Sequence, residues 1–127
     1  MQVITAPERK PITKQSIFLA GTIDDGKSED WQSKLIKEFS EYNITILNPR
    51  RNNWGDLTDN ELRKQITWEL DHLEKADIIF MYIIGTSKSP ISLLEMGIHI
   101  KDSKLIVVCE PEFYRYENVR ITCEYYN

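Results

Sequence analysis

Asp77-Ile-Ile-Phe-Met-Tyr-Ile-Ile-Gly-Thr-Ser-Lys-Ser-Pro-Ile-Ser-Leu-Leu-Glu-Met-Gly-Ile98 is the stretch whose reading decides the fold. Ile78 to Ile83 is a near-continuous apolar run, as expected of a strand covered on both faces of a parallel sheet. A polar loop, Ile84 to Lys88, follows. Ser89-Pro90 then supplies a helix start, with Ser as the cap and Pro at the first helical position. Ile91, Leu94 and Ile98 are expected to form the inner face of that helix. One acid, Glu95, interrupts its apolar character. A carboxylate there is costly unless it is paired, hydrogen-bonded or facing a cleft.

The same strand-loop-helix grammar recurs outward from this stretch. Ser16 to Ala20 is a short apolar run closed by Gly21, and Gly21 to Ser28 reads as a loop. Gly26-Lys27-Ser28 echoes the end of a phosphate-binding loop, but no helix is predicted to start at Lys27, so that reading is set aside. A helix is expected after Ser28, with Trp31, Leu35, Ile36 and Phe39 as its apolar stripe and Asn43 as its end. Ile44 to Leu47 is a second strand. Asn48-Pro49-Arg50-Arg51-Asn52 opens a loop that continues through Trp54 and Gly55. A helix follows over Asp59 to Lys75, capped by Thr58 or Asp59, with Leu62, Ile66, Leu70 and Leu73 as apolar positions. Lys104 to Cys109 is another strand, Pro111 to Glu117 an aromatic-rich loop, and Val119 to Tyr126 reads as a final strand. Residues 1–14 are polar, carry Pro7 and Pro11, and read as an extended or loosely ordered arm before a single domain over 15–127.

Strands alternating with helices imply an α/β fold: one doubly wound sheet of about five mainly parallel strands, with helices on both faces. Ligands in such sheets bind beyond the carboxyl ends of the strands, where the winding reverses. That rule selects the loops after Ala20, Leu47 and Ile83.

Composition narrows the function classes. The chain has 127 residues and a net charge of −4, which argues against a nucleic-acid polymer or an anionic membrane as partner. The longest apolar run, Ile78 to Ile84, is too short to span a bilayer. Cys109 and Cys123 lie in no CxxC pair, and His72 and His99 are far from both in sequence. A metal site is therefore not expected, and two buried thiols in a cytoplasmic protein are.

Glu95 and Glu69 are the leading candidates for chemistry, since periodicity places both on or beside inward faces. Two carboxyls in an apolar cleft suit substitution at an anomeric carbon: one attacks to form a glycosyl ester, and a proton-handling group assists the leaving group. The alternative is that each pairs with a cation. Ser89 is either a plain cap or an anion contact at a helix N-terminus. Arg50 either meets a phosphate or bridges to Glu69 or Asp56. Trp54 is the best candidate for stacking on a base, whereas Phe18 belongs in the core. Tyr82 is a candidate cap for the cleft. Asp77 either satisfies local amides, the favoured reading, or faces the cleft mouth. His72 and His99 are expected on helix surfaces.

Ile17-Phe-Leu-Ala-Gly21, Asp30-Trp31, Asn48-Pro-Arg-Arg51, Trp68-Glu69 with Leu73-Glu-Lys-Ala-Asp77, and Ser89-Pro-Ile-Ser-Leu-Leu-Glu-Met-Gly97 together resemble the nucleoside 2-deoxyribosyltransferase-like family. The similarity runs from about Ile17 to Val119. It implies a flavodoxin-like fold, with Glu95 as the nucleophile that attacks C1′ of a 2′-deoxynucleoside or its 5′-monophosphate. Transfer to a second base, or to water, then opens the ester. Glu69 stands where many members carry an Asp that contacts or protonates the base. Ser89 resembles the phosphate-contacting Ser of members that hydrolyse monophosphates. The resemblance also draws Gly21, Thr22, Asp30, Arg50, Trp54, Asp77 and Met96 into the substrate-binding set. It implies no cofactor and a homo-oligomer, a dimer or larger, whose neighbouring subunit often completes the site. A ligand-sensing module that keeps the pocket and lacks turnover is the competing expectation.

Overall fold

The computed structural model describes residues 1–127. Its elements are β1 (Gln2–Thr5), β2 (Ser16–Gly21), α1 (Trp31–Glu38), β3 (Thr45–Asn48), α2 (Asp59–Lys75), β4 (Ile78–Ile83), α3 (Pro90–His99), β5 (Leu105–Cys109) and α4 (Tyr116–Tyr126). All five strands are parallel, in the order β1-β3-β2-β4-β5. The chain runs from β2 through α1 to β3 on one side, then through α2 to β4 on the other side of β2. The winding reverses between β2 and β4, which is where a flavodoxin-like sheet opens a crevice.

Each face of the sheet has its own cover. Leu19 and Ile46 pack under α1, against Trp31, Leu35, Ile36 and Phe39. The opposite face carries the larger core, where Phe18, Leu47, Ile79 and Met81 meet Trp68 and Leu73 of α2, Met96 of α3 and Val119 of α4. Trp68 is fully buried, tilted against Phe18 with ring centroids 5.9 Å apart. Thr58, one of the two expected caps, caps α2, and Asp30, expected in the first turn of its helix, caps α1 instead. The Asp30 carboxylate accepts from Ser33 N at the start of α1, and the Thr58 hydroxyl accepts from Glu61 N at the start of α2.

Several expectations are corrected. Part of the supposed N-terminal arm is strand β1, paired along its length with β3. The Gln2 side chain ties the rest of that segment down, donating to Pro11 O and accepting from the Thr13 and Thr45 hydroxyls. Residues 119–126 are helical, not a strand. Val119, Ile121, Cys123 and Tyr125 alternate as a strand would, but Tyr116, Val119 and Cys123 share one helical face and pack on the core. The sheet therefore keeps five strands, with β1 in place of the expected last one.

The inner faces of α2 and α3 also differ from expectation. Leu62, Ile66 and Leu70 of α2, and Ile91, Leu94 and Ile98 of α3, are 44 to 59 % exposed. The buried positions are Gln65, Trp68, His72 and Leu73 on α2, and Ser92, Glu95, Met96 and His99 on α3. Neither histidine is on the surface. His72 donates through Nδ1 to Trp68 O at 2.7 Å and stacks on the Trp68 ring, while His99 Nδ1 lies 2.7 Å from Asp102 Oδ2. Tyr82 belongs to the α1 face, stacked on Trp31 with its hydroxyl bonded to Glu110, so it does not cap the cleft.

Asp77 sits at the amino end of β4. Its carboxylate accepts from Ser16 N at 2.8 Å and from the Ser16 hydroxyl at 3.3 Å, while Asp77 N donates to that hydroxyl at 3.1 Å. This reciprocal lock aligns the starts of β2 and β4. Asp77→Ala is expected to lower the unfolding free energy by about 1 kcal/mol, because the group is partly solvated. Urea denaturation measures it; an unchanged midpoint would mean that the lock contributes nothing.

Candidate active site

The crevice at the carboxyl ends of β2 and β4 is built by close backbone contact. Gly21 has φ +123°, and a Cβ there would lie 2.0 Å from Tyr82 O, so no other residue fits without moving β4. Thr22 N donates to Tyr82 O at 2.9 Å, and the Thr22 hydroxyl accepts from Ile84 N at 2.9 Å. Thr22 thus joins the ends of both strands at the place where a ligand would enter.

The loop that follows is left-handed at Asp24, Asp25 and Gly26, with φ of 52°, 54° and 80°. Two of these residues carry a Cβ, so the conformation needs outside support. Arg50 provides it. Its buried guanidinium donates to Gly26 O at 3.1 Å, Ser28 O at 2.6 Å and Glu29 O at 2.9 Å, and Nε lies 3.6 Å from the Asp30 carboxylate. Arg50 is bridged to neither Glu69 nor Asp56, and its donors are spent on the loop instead of facing a phosphate.

Ser89 opens α3 in a left-handed conformation, φ 42°, and its side chain makes no capping bond. Its hydroxyl instead lies 2.6 Å from the Thr22 hydroxyl and 2.9 Å from that of Ser87. Ser87 in turn donates to the Asp24 carboxylate at 2.8 Å.

Glu95 lies on the face of α3 that turns toward the sheet, one turn beyond Ser92, and is 8 % exposed. Burial pushes its carboxyl up to about 8, and the nearby Glu69 adds to the shift. Burial also pushes Glu69 up to about 7, partly offset by a hydrogen bond from Gln65. One Glu69 oxygen, Oε2, is buried without any hydrogen-bond partner. No cation enters either balance. Two such carboxyls repel as anions, so ionising one tightens the other's hold on its proton. A pair of this kind can supply a nucleophilic carboxylate from one member and a proton from the other.

A cavity of 270 Å³ opens against Glu69, lined also by Thr22, Asp24, Asp25, Ser89 and Ser92 among others, with Trp54 as one wall. Trp54 also walls off a more polar hollow of 690 Å³ that contains Asp30, Arg50 and Arg51 but neither acid. The larger space lacks the groups for bond cleavage, so the smaller one is the candidate active site. Among the residues singled out in the sequence, Thr22, Trp54, Glu69 and Ser89 line that cavity, Glu95 lies one turn beyond Ser92 on α3, and Gly21 makes the close contact between β2 and β4 beside Thr22. Asp30 and Arg50 support the neighbouring loop, Met96 is core, and Asp77 stands at the other end of β4. Asp24, Asp25, Ser87 and Ser92 were not singled out. The carboxyl-end rule points at Asp24, Asp25 and Ser87, and nothing in the local pattern marks Ser92. No cluster of His, Cys, Asp and Glu side chains is arranged to hold a metal ion.

The nucleoside 2-deoxyribosyltransferase-like family matches residues 14–113, most of the chain. The chain belongs to that family. No curated protein matches it significantly. The family match spans β2 to Phe113, and so includes every residue of the crevice, the acid pair and the Arg50-held loop.

The acid pair makes a thermodynamic prediction. In the unfolded chain both glutamates release protons near 4.5, whereas the folded protein keeps them to about 7 and 8. The folded state therefore binds more protons in that window, and stability must fall as pH rises through it. Glu95→Gln is expected to unfold like the parent near pH 4.5 and to be more stable by a few kcal/mol at pH 8.5. Urea denaturation across pH reads this directly; a parallel decline in the variant would assign the effect elsewhere.

Proposed function

We propose that this family member cleaves the N-glycosidic bond of 2′-deoxynucleosides or their 5′-monophosphates through a covalent deoxyribosyl-Glu95 intermediate. The observation that carries the reading is a pair of carboxyls at the crevice of the sheet, Glu95 buried and Glu69 half-buried, both raised well above the usual carboxylate range. The ionised Glu95 oxygen attacks C1′ and the C1′–N bond breaks. Its electron pair leaves with the base, which takes up the proton held by Glu69. A second base, or water deprotonated by the Glu69 carboxylate, then attacks C1′ and frees Glu95. Two displacements give net retention. Burial raises Glu69 to about 7, so a fraction of it stays protonated at neutral pH, where an exposed glutamate would be ionised.

The competing reading is a binding module that keeps the pocket. What favours it is that Glu95 lies one turn beyond Ser92, outside the cavity lining, and is raised furthest, so substrate must displace its proton. Incubation with deoxynucleosides and their monophosphates, with and without a second free base, separates the readings by chromatography. Free base without an acceptor marks hydrolysis, a new nucleoside marks transfer, and ligand binding with no product marks the module.

For the enzyme, we further infer a homo-oligomer formed through the outward aliphatic stripes of α2 and α3. Both helices border the cavity, and a second copy there would shield six exposed aliphatic side chains. The free thiols Cys109 and Cys123 suit a reducing, cytoplasmic setting.

Glu95→Gln is expected to lower kcat/KM by at least about 1,000-fold while leaving nucleoside binding measurable. The parent's pH profile should peak between the two shifted values, near 7 and 8. Glu69→Gln removes the like charge beside Glu95, so its residual activity should ionise at lower pH and lose the alkaline limb. Parent-like turnover by Glu95→Gln would overturn the assignment.

A further inference from the structure

The hydroxyls around the cavity have a direction. A hydroxyl has one proton to give, and a carboxylate has none. Ser87 gives its proton to Asp24. The Ser87–Ser89 contact can then form only with Ser89 as donor, and the Ser89–Thr22 contact only with Thr22 as donor. Thr22 accepts from Ile84 N, and Ser87 accepts from Ser89 N, which fills the remaining roles at the two ends. The chain therefore runs Thr22 to Ser89 to Ser87 to Asp24, with every proton committed. Ser89 lines the cavity but has no proton left for a ligand.

We infer that Asp24, acting through Ser87, fixes Ser89 as a hydrogen-bond acceptor and so makes the cavity select a free sugar hydroxyl over a phosphate ester. A hydroxyl of a deoxynucleoside can donate to Ser89; a phosphate dianion at pH 7 cannot. The charge of the lining acts in the same sense. Asp24, Asp25 and Glu69 are all part of it. No lysine or arginine lines the cavity. The opposing influence is the N-terminus of α3, equivalent to about half a positive charge. Arg50 cannot compensate, because its guanidinium is bound to loop carbonyls. The serine that sequence resemblance associates with phosphate is thus wired, in this chain, for an uncharged group.

This rests on the deoxynucleoside reading of the cavity and deepens it to a substrate class. Asp24 and Ser87 are positioning residues, acting through Ser89. The test measures Kd by calorimetry and kcat/KM by chromatography for the four common 2′-deoxynucleosides and their 5′-monophosphates. The parent is expected to favour nucleosides by at least about tenfold in Kd. Ser87→Ala frees the Ser89 proton, and Asp24→Asn can reverse the chain by donating from its amide. Each is expected to move the nucleoside-to-monophosphate ratio about tenfold toward the monophosphate, while Ser87→Thr, which keeps the hydroxyl, restores the parent ratio. A general loosening of the fold would weaken both ligands alike and leave the ratio unmoved. Equal or tighter binding of monophosphates by the parent, no binding of either class, or an unmoved ratio in both Ser87→Ala and Asp24→Asn overturns the inference. Selective binding of nucleosides without product would leave it standing and overturn the proposed glycosidic cleavage instead.

Discussion

Glu95 is buried and Glu69 half-buried near it, and no cation is paired with either. A charged carboxylate in such a place costs several kcal/mol unless something stabilises it. The fold's response is a tighter hold on protons, an upward shift of both groups. The surroundings of the pair are consistent with that response. Arg50 is held by loop carbonyls, and the hydroxyls at the cavity rim are committed to one another and to Asp24. The crevice therefore has acid chemistry and acceptor groups but little positive charge. A cation bridging the two glutamates would stabilise the protein and remove the protonated acid on which the proposed cleavage depends.

The loop after β2 shows how the fold holds a strained element in place. Asp24 and Asp25 occupy a conformation that costs roughly 1–2 kcal/mol per residue. Arg50 offsets this with charge-assisted hydrogen bonds from a rigid, planar group. Arg50 is itself placed by β3, through the Asn48 side chain that accepts its amide at 3.0 Å. Strand order thus reaches the site: β3 lies beside β2, so the loop leaving β3 can grip the loop leaving β2. Gly26 completes the arrangement, since a Cβ there would lie 2.7 Å from the Trp54 ring that walls the cavity.

The helices that carry the acids have an unusual distribution of polarity. On α2 and α3 the aliphatic stripes face outward, while Gln65, His72, Ser92, Glu95 and His99 face the sheet beside Trp68, Leu73 and Met96. Periodicity identified an apolar arc on each helix but could not say what the arc faces. In a lone domain it faces the core; beside a partner it can face outward. That ambiguity is why Ile91, Leu94 and Ile98 were assigned inward and both histidines outward. The same limit applied to α4, where an alternating apolar pattern also contained a helical face of Tyr116, Val119 and Cys123.

The sequence by itself determined the layered fold, the strand that ends at Gly21, the extent of α2 and the oddity of Glu95. These follow from local rules: apolar runs, capping chemistry and the cost of a buried charge act between residues close in the chain. Only the tertiary structure decided that Arg50 clamps a loop, that Asp77 locks strand starts, and that Ser89 bonds Thr22 and Ser87 instead of capping its helix. Thr22 and Ser89 are 67 positions apart, as are no two residues of a local motif. Their contact, and the direction in which its proton points, exists because parallel pairing of β2 with β4 brings both loops to one end of the sheet.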